Sequence, residues 1–296
     1  MKKNLLSLVM VGVMAISLVG CGKGAEENGA PAATEAEKTE ASSEEASEKD
    51  TQEASGAESS EKSGGTFTVG FDQDFPPMGF VGDDGEYTGF DLELAEEVAG
   101  RLGLTFVAQP IAWDAKDMEL ESGTIDCIWN GFTMNGREDS YTWSEPYMDN
   151  SQVFVVAADS GIASFADLAG KVVEVQADSS AEAALNDNGE LTASFSTLQT
   201  VPDYNTAFMD LEMGAVDAIA MDVIVAGYQL EQRKDGANYV ILDDTLAAEE
   251  YGIGFKKGNE ALRDQVQTVL EEMAADGTME EISNKWFGRD VTTIGK

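Results

Sequence analysis

An α/β fold in two similar lobes is the class this sequence predicts, and two observations lead there. The first is a repeat: Leu120-Glu121-x-Gly123-x-x-Asp126-x-Ile128 recurs as Leu211-Glu212-x-Gly214-x-x-Asp217-x-Ile219, identical at every fixed position. In each copy a helix ends, a glycine supplies the positive φ that helix C-termini favour, and a short apolar strand follows. The second is the alternation of helical and strand-like apolar patterns around the first copy, described below. Five residues past the repeated Asp stand Gly131 in one copy and Asp222 in the other. Parallel sheets bind ligands beyond the carboxyl ends of their strands. Each lobe is therefore predicted to present one strand end to a shared cleft.

Composition narrows the chemistry. The 296 residues carry a formal net charge of -38 and no His. That charge repels nucleic acid and anionic lipid alike. Without imidazole, Ser-His-Asp and Cys-His catalysis and His-containing zinc sites are excluded. Cys21 and Cys127 are the two cysteines. Cys127 sits in an apolar strand pattern and reads as a small core residue.

The amino terminus has Lys2 and Lys3 ahead of an apolar run from Leu5 to Val19. The run is short for a bilayer span and has the shape of a secretory signal, here residues 1–20. It ends in Leu18-Val19-Gly20-Cys21, which resembles the lipobox of bacterial lipoproteins, in which the Cys becomes the lipid-modified first residue. From Gly22 to about Gly65 there is no aromatic residue and no Leu, Ile or Val. Such a stretch buries too little apolar surface to offset its ordering entropy and is expected to be a disordered tether, here 21–65 with its lipidated Cys. As a random coil it would span roughly 35 to 40 Å.

The folded part is expected to open with a strand from Thr66 to Phe71. Asp72 to Phe80 leaves it as a loop that Pro76 and Pro77 hold extended, and Asp83-Asp84-Gly85-Glu86 reads as a turn. Asp72 and Phe75 stand just past a strand end, as site groups or as a solvated acid with one ring tucked into the core. Phe90, Leu94, Val98 and Leu102 fall on one face of a helix over 90–102. A strand over 104–107 follows. Trp113 then opens the helix that runs into the repeat, as a cleft ring or a core ring. Beyond the strand ending near Trp129, the loop Gly131 to Arg137 offers backbone N–H groups, the Thr133 hydroxyl and the Arg137 guanidinium. That combination suits a small carboxylate, since Arg presents a planar bidentate fork. Pairing of Arg137 with Glu138 on a solvated surface is the other reading.

Val69-Gly70-Phe71-Asp72, Phe75-Pro76-Pro77, Tyr87-Thr88-Gly89-Phe90-Asp91-Leu92, the Gly131-to-Arg137 loop and Ser144-Glu145-Pro146-Tyr147 resemble the polar-amino-acid solute-binding proteins of ABC transporters. The resemblance continues through Ser164 to Val173, Tyr251-Gly252-Ile253-Gly254-Phe255 and Lys285-Trp286-Phe287-Gly288, covering nearly all of 66–290 in order. It implies a type II periplasmic-binding-protein fold, two α/β lobes joined by two hinge strands. Lobe one would comprise 66–155 plus 251–296, and lobe two 156–250. Ser151 to Ala158 would carry the chain out and Tyr251 to Phe255 would bring it back. In lobe two, strands are expected near 172–175, 193–197, 217–220 and 239–242, with helices near 180–186, 203–212 and 223–231. Leu262, Val266, Val269, Leu270 and Met273 share the face of a closing helix, and Thr278-x-x-Glu281 reads as a capping box.

The resemblance also implies a ligand set. Arg137 would grip an α-carboxylate with Thr133 and backbone N–H groups near Ser179 and Ser180. Asp222 would take the α-ammonium, helped by Thr133 and the Gly131 carbonyl. Phe75 and Trp113 would sandwich the side chain, and Asp72 would meet its polar end. Gln176 stands where some members carry a basic residue. Asp72, with no obvious basic partner, leaves neutral polar amino acids, cationic ones and cystine as ligands. The implied protein is a monomeric, cofactor-free receptor on the extracytoplasmic face of a bacterial membrane, touching the membrane through its lipid alone and handing its ligand to a permease driven by a separate ATPase. The chain has no Gly-x4-Gly-Lys-Ser/Thr loop to power transport itself. A sensory receptor, or a dehydratase on the same fold, are the alternatives.

Overall fold

The computed structural model describes residues 64–296. The expectations for the signal sequence, Cys21 and all of the tether before Gly64 lie outside these residues.

Strand β1 (Thr66–Phe71) leads through β2 (Asp74–Phe75), β3 (Gly79–Val81) and β4 (Tyr87–Thr88) into helix α1 (Phe90–Arg101). The Asp72-to-Phe80 segment is thus partly paired rather than a free loop: β2, β3 and β4 form a small antiparallel sheet, closed by the predicted turn, where the Gly82 amide donates to the Glu86 carbonyl at 2.8 Å. On α1, Phe90, Leu94 and Val98 are fully buried, each side chain contributing about 1.5–3 kcal/mol. After β5 (Thr105–Pro110) a 3-10 turn over Trp113–Ala115 precedes α2 (Lys116–Ser122), β6 (Cys127–Ile128) and β7 (Thr142–Trp143).

The chain then crosses over in β8 (Met148–Ala157). Beyond it lie β9 (Val172–Gln176), α3 (Ser180–Asp187), α4 (Gly189–Ser194), β10 (Thr197–Val201), α5 (Tyr204–Glu212), β11 (Ala218–Asp222), α6 (Val223–Gln232), β12 (Tyr239–Ile241) and β13 (Ala247–Tyr251). The return is completed by β14 (Gly254–Phe255), α7 (Glu260–Asp276) and α8 (Thr278–Phe287). The first lobe carries a sheet of order β5-β1-β6-β14-β7, and the second a sheet of order β10-β9-β11-β8-β12, with β13 pairing β8 as well. This is the two-lobe α/β architecture. Antiparallel β8 and β13, in register from Met148 opposite Tyr251 to Gln152 opposite Ala247, form the hinge.

The repeat is one structural unit used twice. Gly123 and Gly214 take φ of 78 and 68. Past them, the Thr124 amide donates to the Glu119 carbonyl and the Ala215 amide to the Asp210 carbonyl, closing each helix in the same way. Asp126 then clasps β1: its amide donates to the Thr68 carbonyl and its carboxylate accepts from the Thr68 amide, both at 2.8 Å. Asp217 makes the same pair with Val172 of β9, again at 2.8 Å. The recurring acid therefore locks a strand beside its parallel neighbour. Gly131 and Asp222 follow at the strand ends.

Four local expectations differ. The strand placed near 193–197 is β10, four residues later, because Ala193 and Ser194 belong to α4, whose N-terminus is capped by the Asn188 side chain. The strand placed at 104–107 runs on to Pro110 along the full length of β1. The return crossing uses β13, which begins at Ala247, where pairing with the long β8 becomes available. The capping box at Thr278 does not form. Left-handed Gly277 joins α7 to α8 directly, and the Thr278 hydroxyl instead donates to Asp276 at 2.6 Å and accepts from Arg101 at 2.8 Å.

Cys127 is fully buried, and burial pushes its thiol well up, as a core residue requires. The α7 face buries Val266, Val269, Leu270 and Met273, with Leu262 packed at its margin.

Candidate functional site

The lobes meet across the cleft through matched polar and aromatic contacts. Asp72 accepts from the Gln176 amide at 2.6 Å, and Asp74 accepts from the Asn205 amide at 2.7 Å. The Phe75 and Tyr204 rings lie 6.0 Å apart, and Lys116 pairs with Asp178. Between them is a narrow cavity of about 10 Å³, lined by Phe75, Trp113, Gly131, Phe132, Thr133, Arg137, Gln176, Ser179, Ser180 and Asp222. Nine of the ten sequence-derived residues therefore face one space, and Phe132 joins them. Asp72 lies next door, in a more open compartment of about 370 Å³ that it shares with Asp74, Trp113, Asp114 and Asp203. Trp113 borders both. The walls of the cavity are thus drawn close together, with room for about one water between them.

Each wall of the cavity has a structural cause. Gly131 has φ of 55, and a Cβ there would come within 3.0 Å of Phe75 and 3.1 Å of Tyr251, so the loop passes close only as glycine. Its amide donates to the fully buried Asp91 at 2.6 Å, and Tyr147 donates to the same carboxylate oxygen at 2.8 Å. Burial pushes the Asp91 carboxyl up to about 7. The loop is also stitched to the hinge: the Met134 amide donates to the Glu250 carbonyl and the Gly252 amide to the Phe132 carbonyl, each at 2.9 Å. Trp113 is both cleft ring and core ring, lining the cavity while packing edge-on against Phe132 at 5.6 Å.

Arg137 makes no ion pair with Glu138. Its guanidinium sits 5.3 Å from the Phe132 ring centre and donates to the Thr133 carbonyl at 3.2 Å, while Trp143 fixes its backbone carbonyl at 3.1 Å. Opposite it, Ser179 caps α3, accepting from the Glu182 amide at 3.1 Å. The preceding Asp178 adopts a left-handed φ of 57. The turn thereby brings the positive end of α3 to the cavity beside Arg137. These groups together can hold a carboxylate.

Asp222 supplies the opposite charge. It is 3 % exposed, and three donors converge on its Oδ1: Asn150 at 2.7 Å, Gln152 at 2.8 Å and the Tyr251 hydroxyl at 2.6 Å. Burial, reinforced by the charge of Glu249, pushes its carboxyl up to about 7. Burial likewise raises Asp72 to about 6, against the opposing bonds from Asp74 and Gln176. A buried carboxylate that resists ionisation is poised to accept an arriving cation.

Asn150, Gln152, Glu249 and Tyr251 escaped the sequence reading. All four come from the hinge strands, and in each strand they are two residues apart, on one face. The sequence marks them only faintly: a polar run from Asp149 to Gln152 opens β8, and Glu249 stands two before the Tyr251 of the return motif, on the same strand face.

The chain matches the bacterial extracellular solute-binding proteins, family 3, over residues 67–289. It is 34% identical to the L-cystine-binding protein TcyJ of Escherichia coli (strain K12), over 78% of this chain and 86% of that one. It is 30% identical to the L-cystine-binding protein TcyA of Bacillus subtilis (strain 168), over 99% of this chain and 100% of that one. Among solved structures, an ABC uptake transporter substrate binding protein from Streptococcus pneumoniae with bound histidine superposes with a TM-score of 0.74 at 37% identity, covering 77% of this chain and 94% of that one.

Proposed function

Because this chain belongs to the bacterial extracellular solute-binding proteins, family 3, we propose that it is the receptor of an amino-acid ABC importer, closing two lobes on one free amino acid and passing it to a permease. The observation that carries this reading is the opposition of Arg137 and Asp222, from different lobes, on one enclosed cavity. A zwitterion satisfies both only when the lobes are together, so its binding energy is differential between open and closed forms, as a population shift requires. Closure also removes water and strengthens both charged contacts.

In this assignment Arg137 and the start of α3 at Ser179 and Ser180 hold the α-carboxylate. Asp222 and Thr133, with the Gly131 carbonyl, hold the α-ammonium. Phe75 and Trp113 flank the side chain, and Gln176 and Asp72 stand at its far end. Lobe one is taken as 66–155 with 251–296, and lobe two as 156–250. The acidic compartment beyond Trp113 favours a side chain ending in positive charge, which arginine has and which the distal ammonium of cystine supplies. The cavity needs no catalytic step to account for its acids, so we assign binding without chemistry, by a monomer and without a cofactor.

The ligand is identified by thermal-shift curves on refolded protein with the twenty amino acids, ornithine, citrulline and cystine. At 100 times its dissociation constant a ligand stabilises the native state by about 2.7 kcal/mol. A large shift is expected for cystine or a cationic amino acid. No shift with any of them, in folded protein, would overturn the reading.

Residues 1–20 are assigned as a signal peptide, and Cys21 as the lipid anchor that holds the receptor to the outer face of the membrane through the tether. Cys21→Ser is expected to release the protein into the medium of expressing cells. Retention on the membrane of the Ser variant would contradict the anchor.

A further inference from the structure

Glu249 is 6 % exposed and lies beside Asp222, on the border of the neighbouring compartment that Arg137, Ser179 and Ser180 also line. Its Oε2 accepts from the Thr133 hydroxyl at 2.9 Å, the Gln152 amide at 2.9 Å and the Asn150 amide at 3.1 Å. The same two amide groups reach Asp222. Two buried carboxylates thus share two NH₂ groups. Among the described residues neither acid takes part in an ion pair.

The remaining groups that face the pair do not relieve it. From β13, Tyr251 donates to Asp222. From α5, Tyr204 is buried, and its phenol is held neutral by that burial and by both carboxylates. From α3, the Ser180 hydroxyl lies 3.5 Å from Glu249. Arg137 turns to the Thr133 carbonyl. Like charges confined together in low dielectric favour keeping a proton until a cation replaces it.

We propose that Glu249 and Asp222 form a paired seat for the ligand's ammonium, which enters as a proton leaves Asp222 for solvent. Only the Asp222 O–H bond breaks, and the ammonium keeps its three protons. Glu249 is a positioning residue. It raises the proton affinity of Asp222, and by accepting the hydrogen bond of the Thr133 hydroxyl it turns the lone pairs of that oxygen towards the ammonium. The inference rests on the amino-acid-binding reading above and adds to it a proton released on uptake. Since the Asp222 carboxyl is pushed up to about 7, affinity falls about tenfold for each pH unit below that value and levels off above it.

The test is calorimetric titration of the refolded full-length mature protein with L-cystine, L-arginine and L-glutamine at pH 6.0 and 8.5, each in two buffers of different ionisation enthalpy. The wild type is expected to release close to one proton per bound ligand at pH 6.0 and almost none at pH 8.5, with binding about tenfold weaker at the lower pH. Glu249→Gln is expected to release at most half as much at pH 6.0 and to shift the break in affinity to lower pH. Glu249→Asp, which keeps the charge, is expected to retain the release. Circular dichroism checks the fold of each variant, and the wild-type proton count does not depend on them. Binding without proton release, or a Glu249→Gln variant with the wild-type pH profile, would overturn the paired seat while leaving amino-acid binding in place. Absence of binding by all three probes at both pH values would overturn the amino-acid reading, and the seat with it.

Discussion

Arg137→Ala is expected to weaken amino-acid binding about a thousandfold while leaving the melting temperature of the unliganded protein nearly unchanged. Among the described residues, the guanidinium is the only cation lining the cavity. Removing one member of a desolvated, hydrogen-bonded charge pair costs about 2–5 kcal/mol, because the partner charge stays buried without compensation. In the structure the side chain makes one bond to a carbonyl and rests on the Phe132 ring, so the fold loses little. Arg137→Lys restores the charge without the fork and should recover part of the affinity. Titration calorimetry reads both. An Arg137→Ala protein with near-normal affinity would remove the carboxylate assignment.

Asp222→Asn is expected to separate binding from stability. The substitution keeps the shape and an oxygen to accept from Asn150, Gln152 and Tyr251, but removes the charge that meets the ammonium. Binding should fall at least a hundredfold. The unliganded protein should gain roughly 1 to 3 kcal/mol at pH 8, because a buried carboxylate pressed against Glu249 is gone. The sign follows from linkage. Asp222 in the folded protein is raised to about 7 from the ordinary 3.8, so between pH 4 and 7 the native state holds more protons than the unfolded one. Its contribution to stability is therefore present at low pH and lost as pH rises through 7. Asp72, raised to about 6, and Asp91, raised to about 7, act in the same direction. Asp276 is held down to about 2 by Arg101 and Thr278, and its opposite effect falls below this window. The unliganded wild type should consequently melt at higher temperature at pH 5 than at pH 8, and Asp222→Asn should flatten that difference. Melting curves at the two pH values decide it. A variant less stable than wild type at pH 8 would contradict the account. Such a residue, kept at a cost in stability, is typical of a site selected for function.

Much of this was legible in the sequence because the repeat encodes geometry. The Gly fixes where each helix stops, and the Asp fixes the strand beside its neighbour, so Gly131 and Asp222 had to emerge at strand ends. The boundaries in lobe two were less legible. Thr192 and Ser194 are indifferent helix formers on either side of Ala193, and the Asn188 cap at the start of their helix is a side-chain bond rather than a pattern. Thr278 looked like a cap only because the left-handed link at Gly277 cannot be read from spacing. The groups that hold Asp222 were missed for a different reason. Asn150, Gln152 and Glu249 meet Asp222 only through the pairing of strands about a hundred residues apart in sequence, and local periodicity carries no information about that register. The direct bond between Asp72 and Gln176 was hidden in the same way, since it forms across the cleft.

The central claim is that one cavity reads both ends of an α-amino acid, the carboxylate from lobe one and the ammonium from lobe two. Titration of the refolded protein with L-arginine beside agmatine and L-argininamide, and with L-cystine beside cystamine, tests it most directly. The account predicts one-to-one binding of at least one parent amino acid, and at least hundredfold weaker binding of its analogues without the free carboxylate. An analogue that binds as tightly as its parent, or a failure of both parents to bind folded protein, would contradict it.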